Sequence, residues 1–144
     1  MPPRLVISRQ GETISTFEFN DKKILIAEDD LSNYYFLFES LKETGVEIIW
    51  AKDGEETMEL FREHSDLNLV LMDINMPGMN GIELVQWMRT ERKLEVPIVV
   101  LSSRCDQESL VQTLLDHKVA VYPKPFSPSQ LVARIEELLG RFAC

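Results

Sequence analysis

The sequence has few cysteines and no long apolar run, and both absences argue against several classes of protein. Its 144 residues include two cysteines, Cys105 and Cys144, with no Cys-x-x-Cys pair and no histidine spaced as a co-ligand. This usage argues against a disulfide framework and against a thiolate zinc site. No apolar run approaches the roughly 18–20 residues that span a bilayer, and residues 1–15 lack the apolar core of a signal peptide. We therefore expect a cytoplasmic protein without membrane insertion.

The sequence also lacks an excess of basic residues. It carries 15 Lys and Arg against 24 Asp and Glu, which gives a formal net charge of −9. A chain this acidic is not expected to bind nucleic acid or anionic lipid directly. Residues 1–22 are balanced in charge, so the whole excess lies in residues 23–144. The apolar fraction of 44% predicts one folded domain with its own core.

Apolar runs typical of strands alternate with helical patterns from Lys23 onward. The five runs are residues 24–27, 47–51, 67–72, 97–101 and 119–122. Because the runs are continuously apolar, they predict a sheet covered on both faces, with parallel strands and right-handed crossovers. The predicted fold is α/β, a doubly wound five-stranded parallel sheet of the (βα)5 type.

Polar side chains follow four of the five predicted strands within two residues. Glu28 and Asp29, the acidic pair, follow the first strand, and Asp73, Ser102 and Lys124 follow the third, fourth and fifth. The carboxyl ends of parallel strands meet at one edge, so we expect these side chains to lie within a few ångströms of each other. Three gathered carboxylates repel one another unless a cation is present, and an oxygen-only set suits a hard cation, above all Mg²⁺.

The same set of residues predicts a chemistry. A carboxylate beside a divalent cation, a hydroxyl and an ammonium group suits phosphoryl transfer, since the cations neutralise the phosphoryl oxygens while the carboxylate attacks in line. Asp73 stands alone at the end of the central strand, so we assign the attack to it. Lys124 and Ser102 then contact phosphoryl oxygens. The acidic pair supplies metal ligands, directly or through water, and the backbone carbonyl of Asn75 supplies another.

Four segments form a combined motif. They read Ile-Leu-Ile-Ala-Glu-Asp-Asp at 24–30, Leu-Val-Leu-Met-Asp-Ile-Asn-Met-Pro-Gly-Met-Asn-Gly at 69–81, Val-Val-Leu-Ser-Ser at 99–103 and Lys-Pro-Phe at 124–126. In these motifs the sequence resembles the response-regulator receiver domain of two-component signalling, over residues 23–141. The resemblance implies the flavodoxin-like strand order 2-1-3-4-5. A stand-alone regulator and the receiver of a hybrid histidine kinase both fit it.

The resemblance also implies a role for each site residue. Asp73 is the phosphoacceptor, Ser102 the switch hydroxyl, and Lys124 contacts the phosphoryl group through a turn with a cis Lys124–Pro125 bond. The implied Mg²⁺ ligands are Glu28, Asp29, Asp73 and the Asn75 main chain, with Asp29 the more direct of the acidic pair. The donor is a phosphohistidine on a histidine kinase or a histidine phosphotransfer protein. Such a domain is a signalling module that assists its own phosphorylation and dephosphorylation, not an enzyme.

Two other functions stay open. One is a pseudo-receiver, a binding module that is not phosphorylated. The other is a phosphatase of the haloacid dehalogenase type, which also uses an Asp nucleophile with Mg²⁺. The motif order argues against the phosphatase, because the acidic pair precedes Asp73 and no acidic pair closely follows Lys124.

The fifth strand departs from the family pattern. The family has an aromatic residue three positions before the Lys, where this sequence has Val121. The aromatic residue is Tyr122, which a strand directs to the opposite face. We therefore expect atypical output through the face formed by the fourth helix, fifth strand and fifth helix, which is also the face expected for a homodimer.

Residues 1–22 are predicted to be an extension or linker before a receiver domain at 23–144. Residues 14–19 alternate in strand fashion. Three interpretations stay open, of which we favour a loosely packed leader. The others are a hairpin or edge strand, and a segment that resembles the end of a kinase ATP-binding domain. No further domain follows Cys144 in this sequence, so we expect output through protein contact or from a parent chain.

Arg104 and Asn75 generate a prediction about the lifetime of the phosphoryl group. They lie two residues after Ser102 and Asp73, positions that in the family tune the attack of water on the aspartyl phosphate. We predict that Arg104 reaches over the phosphoryl group and slows this attack. Arg104→Ala then shortens the lifetime of the adduct, measured as its decay over time, and an unchanged lifetime would contradict the prediction.

Overall fold

The computed structural model describes residues 4–7, 13–16, 19–74, 76, 80–91, 96–102 and 119–141. Seven strands lie in this part of the chain: β1 (Arg4–Ile7), β2 (Thr13–Thr16), β3 (Lys23–Ala27), β4 (Glu47–Ala51), β5 (Leu69–Asp73), β6 (Ile98–Ser102) and β7 (Ala120–Pro123). The helices described are α1 (Leu31–Leu41), α2 (Gly54–Glu63), α3 (Gly81–Glu91) and α4 (Pro128–Arg141), with a 3-10 turn at Lys42–Thr44. The predicted helix around residues 110–115 lies outside the described residues.

The last five strands form one parallel sheet. Their spatial order is β4-β3-β5-β6-β7, and every neighbouring pair is parallel. Counted along the sheet-forming strands, this is the order 2-1-3-4-5, so the predicted α/β, flavodoxin-like fold is confirmed. Within the described ranges, no helix is both long enough and apolar enough to cross a bilayer.

The sheet separates two apolar layers. The central strands β5 and β6 are buried along their whole length, which is why their sequences are continuously apolar. One face packs against α2 and α3 through Phe61, Leu84, Val85 and Met88. The other face packs against α1 and α4 through Leu37, Leu41, Leu131 and Ile135. Burial of this apolar area is the main stabilising contribution to the fold.

Aspartate side chains cap the N-termini of two helices that begin shortly after a strand ends. Asp30 Oδ1 accepts from the N–H of Asn33 at 3.0 Å and begins α1, and Asp53 Oδ1 accepts from the N–H of Glu56 at 2.8 Å and begins α2. Gly81 begins α3 in close contact with the residue after Asp73, since a Cβ there would lie 2.6 Å from the carbonyl oxygen of Ile74. These short connections keep the strand-end residues at one edge.

The N-terminal segment differs from the leader that we favoured. β1 and β2 pair antiparallel, with Val6 opposite Ile14, so the hairpin alternative describes these residues. Further along the chain, the side chain of Phe19 is 4% exposed and belongs to the same apolar layer as α1 and α4. Its N–H donates to the carbonyl of Thr44 at 2.7 Å. The apolar core therefore takes in a residue from the predicted extension.

The burial of Phe19 predicts that this residue is needed for stability. Phe19→Ala removes a large buried side chain, so we expect a loss of about 3 kcal/mol in the free energy of unfolding. Urea denaturation measures it, with Tyr35→Ala as the control because the Tyr35 side chain is 58% exposed. Equal stability of the two variants would show that the extension does not contribute to the core.

Candidate functional site

The carboxyl ends of β5, β6 and β7 bring three of the predicted site residues together. Asp73 is the last residue of β5 and its Oδ2 lies 2.8 Å from Nζ of Lys124. Ser102 is the last residue of β6, and its carbonyl accepts from the N–H of Lys124 at 3.0 Å. The bond between Lys124 and Pro125 is cis, as the resemblance implied. Asp73 and Ser102 are both buried, so the Lys124 ammonium offsets a carboxylate shielded from solvent.

Glu28 lies beside this ion pair, directly after β3. Its side chain is 1% exposed, and its Oε2 has no hydrogen-bond partner among the described residues. Burial, and after it the negative charge of Asp73, raise the pKa of Glu28 to about 7, while the charge of Lys124 opposes the shift. Two carboxylates therefore share the positive charge of one ammonium group.

The carboxylate oxygens of Glu28 and Asp73 are of the chemical type that hard cations bind. A buried carboxylate oxygen without a partner, next to a second carboxylate, is a position where a divalent cation relieves repulsion. In the described ranges, however, no three side chains from His, Cys, Asp and Glu are grouped closely enough to hold a metal. That Glu28, Asp29 and Asp73 converge on a cation therefore stays a prediction. A cation here needs further ligands, which backbone carbonyls and water supply in such sites.

Of the predicted switch and tuning residues, Ser102 and Val121 lie within the described ranges. Asn75 and Arg104 lie outside the described residues. Val121 packs against the layer that includes α2 and α3, and Tyr122 packs against the layer that includes α1 and α4, so the two point to opposite faces as predicted. The Tyr122 ring meets Phe126 edge-on at a centroid distance of 5.4 Å.

An apolar cavity adjoins the ion pair. It has a volume of about 260 Å³ and lies between α1 and the segment that follows β7. Phe36, Leu37, Pro125 and Phe126 form its apolar walls, and Glu28 and Lys124 contribute polar lining. The cavity therefore lies between α1 and the lysine whose ammonium group contacts Asp73.

Trp50 was not among the predicted site residues. Its Nε1–H donates to the carbonyl of Glu28 at 2.8 Å, and its ring stacks on Tyr34 at 4.1 Å with an interplanar angle of 8°. Trp50 lies in β4 opposite Ile26 of β3. One signal in the sequence could have pointed to this contact. Trp50 carries a polar N–H and is the second-last residue of the predicted strand at 47–51.

Comparison with known proteins decides the family. The family model of the response regulator receiver domain matches residues 24–136. The chain belongs to this family. Two similar relatives are a probable transcriptional regulator ycf27 of Cyanophora paradoxa, 38% identical over 86% of this chain and 51% of that protein, and the transcriptional regulatory protein YrkP of Bacillus subtilis, 38% identical over 83% and 50%. Among solved structures, the response regulator TrrA of Thermotoga maritima in complex with Mg(2+)-BeF aligns with a TM-score of 0.71 and 29% identity, over 81% of this chain and 98% of that chain.

The receiver domain spans about half the length of the relatives named above. Receiver domains are signalling modules of two-component systems, which agrees with the predicted class. Both relatives are named as transcriptional regulators. We expected no direct binding of nucleic acid by this acidic domain. The comparisons do not support that expectation for a whole transcriptional regulator.

The environment of Glu28 predicts how a neutral side chain changes stability. Glu28→Gln removes a buried charge beside Asp73, so we expect the metal-free protein to gain on the order of 1 kcal/mol in the free energy of unfolding at pH 8. The variant should also lose the stabilisation that added Mg²⁺ gives to the unchanged protein. Thermal melting with and without Mg²⁺ measures both effects.

Glu59→Gln is the matched control, because Glu59 is exposed on α2. We expect it to melt like the unchanged protein in both conditions. A Glu28→Gln protein less stable than this control without Mg²⁺ would contradict the argument from buried charge.

Proposed function

We propose that this receiver domain accepts a phosphoryl group on Asp73 from a phosphohistidine of a histidine kinase or histidine phosphotransfer protein. The observation that carries the proposal is the 2.8 Å ion pair between Asp73 and Lys124 at the carboxyl edge of a parallel sheet. The buried Ser102 hydroxyl and Glu28 carboxylate complete the set of groups that phosphoryl transfer needs.

The transfer step follows from these groups. A carboxylate oxygen of Asp73 attacks the phosphorus atom, the P–N bond to the imidazole breaks, and the imidazole nitrogen keeps the electron pair. Lys124 already lies at Asp73, so its ammonium group is in place to neutralise a phosphoryl oxygen as the new P–O bond forms. The Ser102 hydroxyl donates to another phosphoryl oxygen. The domain thereby supports its own phosphorylation.

The proposed cofactor is Mg²⁺. Glu28, Asp29, Asp73 and the main-chain carbonyl of Asn75 would hold it, and when bound it supplies positive charge to the phosphoryl oxygens. The unpartnered Oε2 of Glu28 supports this assignment. The related TrrA structure, a complex with Mg(2+)-BeF, supports it by homology.

The expected output follows from the position of the switch residues. A phosphoryl group on Asp73 adds negative charge, which attracts the Ser102 hydroxyl and favours the arrangement that binds this charge best. Val121 offers no aromatic ring to follow Ser102. Output through the face of the fourth predicted helix, β7 and α4, including homodimer formation there, is therefore proposed to differ from the family pattern.

Intact mass spectrometry tests the proposal. Incubation with a small phosphodonor and Mg²⁺ should add about 80 Da to the unchanged protein, and Asp73→Asn should abolish the adduct. Asp66→Asn is the matched control, because Asp66 also pairs with a lysine at 2.8 Å, through Lys23 at the opposite edge of the sheet. This control should be phosphorylated normally.

The same experiment separates the alternatives. No adduct on the unchanged protein would indicate a pseudo-receiver that acts by binding alone. Steady turnover of the phosphodonor, without a lasting adduct, would indicate a phosphatase. An adduct that survives Asp73→Asn would place the acceptor elsewhere and overturn the assignment of Asp73.

A further inference from the structure

The backbone of Glu28 is held by β4 at two points. Its N–H donates to the carbonyl of Ala51 at 3.0 Å. Its own carbonyl accepts from the indole Nε1–H of Trp50 at 2.8 Å. Both partners belong to the neighbouring strand, so the first residue of the acidic pair is fixed to the edge of the sheet on both sides of its α-carbon.

The indole supplies a hydrogen bond where the strand pairing stops. β3 and β4 pair as far as Ala27 and Ala51, and the bond from Glu28 to Ala51 extends the ladder by one step. β4 then ends, and the chain enters α2 at Gly54. A carbonyl at such a strand end still needs a donor, and the donor here is the Trp50 side chain.

The Trp50 ring is itself fixed in place. It stacks on Tyr34 of α1 at a centroid distance of 4.1 Å, and the ammonium group of Lys52 lies 5.3 Å from its centroid. The N–H of Tyr34 donates to the carbonyl of Asp30 at 2.9 Å. The indole therefore connects β4, the loop that carries the acidic pair, and the first turn of α1, with its N–H already directed at Glu28.

We propose that Trp50 is a positioning residue for the divalent cation site, acting through its hydrogen bond to the Glu28 carbonyl. The two bonds to β4 fix the point from which the buried Glu28 side chain extends, and its Oε2 has no hydrogen-bond partner among the described residues. The same peptide unit leads into Asp29, so the bond also sets where the second carboxylate leaves the chain. This inference rests on the proposed function, because it concerns the Mg²⁺ that phosphoryl transfer uses.

A tryptophan analogue tests the N–H group alone. The chain has two tryptophans, so Trp87→Phe leaves Trp50 as the single position for incorporation. Trp87 packs edge-on against Phe61 on the other face of the sheet, away from the site. Benzothienylalanine keeps the shape of the indole and replaces its N–H with sulfur, which does not donate. The Trp87→Phe protein with ordinary tryptophan is the matched control.

Two readouts separate positioning from folding. By calorimetric titration with Mg²⁺, we expect the analogue to raise Kd roughly five- to tenfold over the control. By ¹⁵N NMR, we expect a shift of the Asp29 amide, which directly follows the Glu28 carbonyl. The melting temperature should stay close to that of the control, because the ring and its stacking are retained. Trp50→Phe in the unchanged background should also weaken Mg²⁺ binding, since it keeps a stacking ring without a donor.

The outcomes distinguish the inference from the function on which it rests. Equal Mg²⁺ affinity of analogue and control would overturn the positioning role, while the receiver assignment would stand. An unchanged Asp29 amide would overturn it too, because the hydrogen bond would then be absent in solution. Failure of the control itself to bind Mg²⁺ would overturn both the cation site and the proposed function.

Discussion

The burial of two carboxylates at one edge of the sheet is the constraint on which the rest of the site depends. Glu28 and Asp73 both lie shielded from solvent, and burial together with the charge of Asp73 raises the pKa of Glu28. Lys124 gives Asp73 an ammonium partner, and Oε2 of Glu28 keeps none among the described residues. This unequal pairing explains why the site suits a further positive charge, and a negatively charged phosphoryl group on Asp73 would increase that need.

The fold meets this constraint by strand order. Asp73 and Ser102 end β5 and β6, and Lys124 directly follows β7. These strands are neighbours in space, although Asp73 and Lys124 are 51 residues apart in sequence. Asp30 caps the helix that follows β3, so Glu28 stays at the strand end. The packing of helices on both faces leaves the carboxyl edge as the place where polar groups gather, as in other doubly wound sheets.

Aromatic side chains connect the site to its surroundings by two separate routes. Trp50 and Tyr34 join the acidic pair to β4 and α1. On the other side of the cavity, Tyr122 meets Phe126, which lies 5.7 Å from Phe36 of α1. Both sets of contacts end on α1, at Tyr34 and at Phe36. The acidic pair and the segment after Lys124 are therefore both packed against the same helix.

The sequence by itself determined the parallel α/β fold and the residues at the strand ends, because continuous apolar runs require a sheet covered on both faces and polar residues follow them directly. The strand order and the cis bond before Pro125 came from the family resemblance. Only the tertiary structure decided that Phe19 joins the core and that Trp50 bonds Glu28. Periodicity specifies which side of an element is apolar, whereas contacts between distant side chains depend on packing that no local pattern contains.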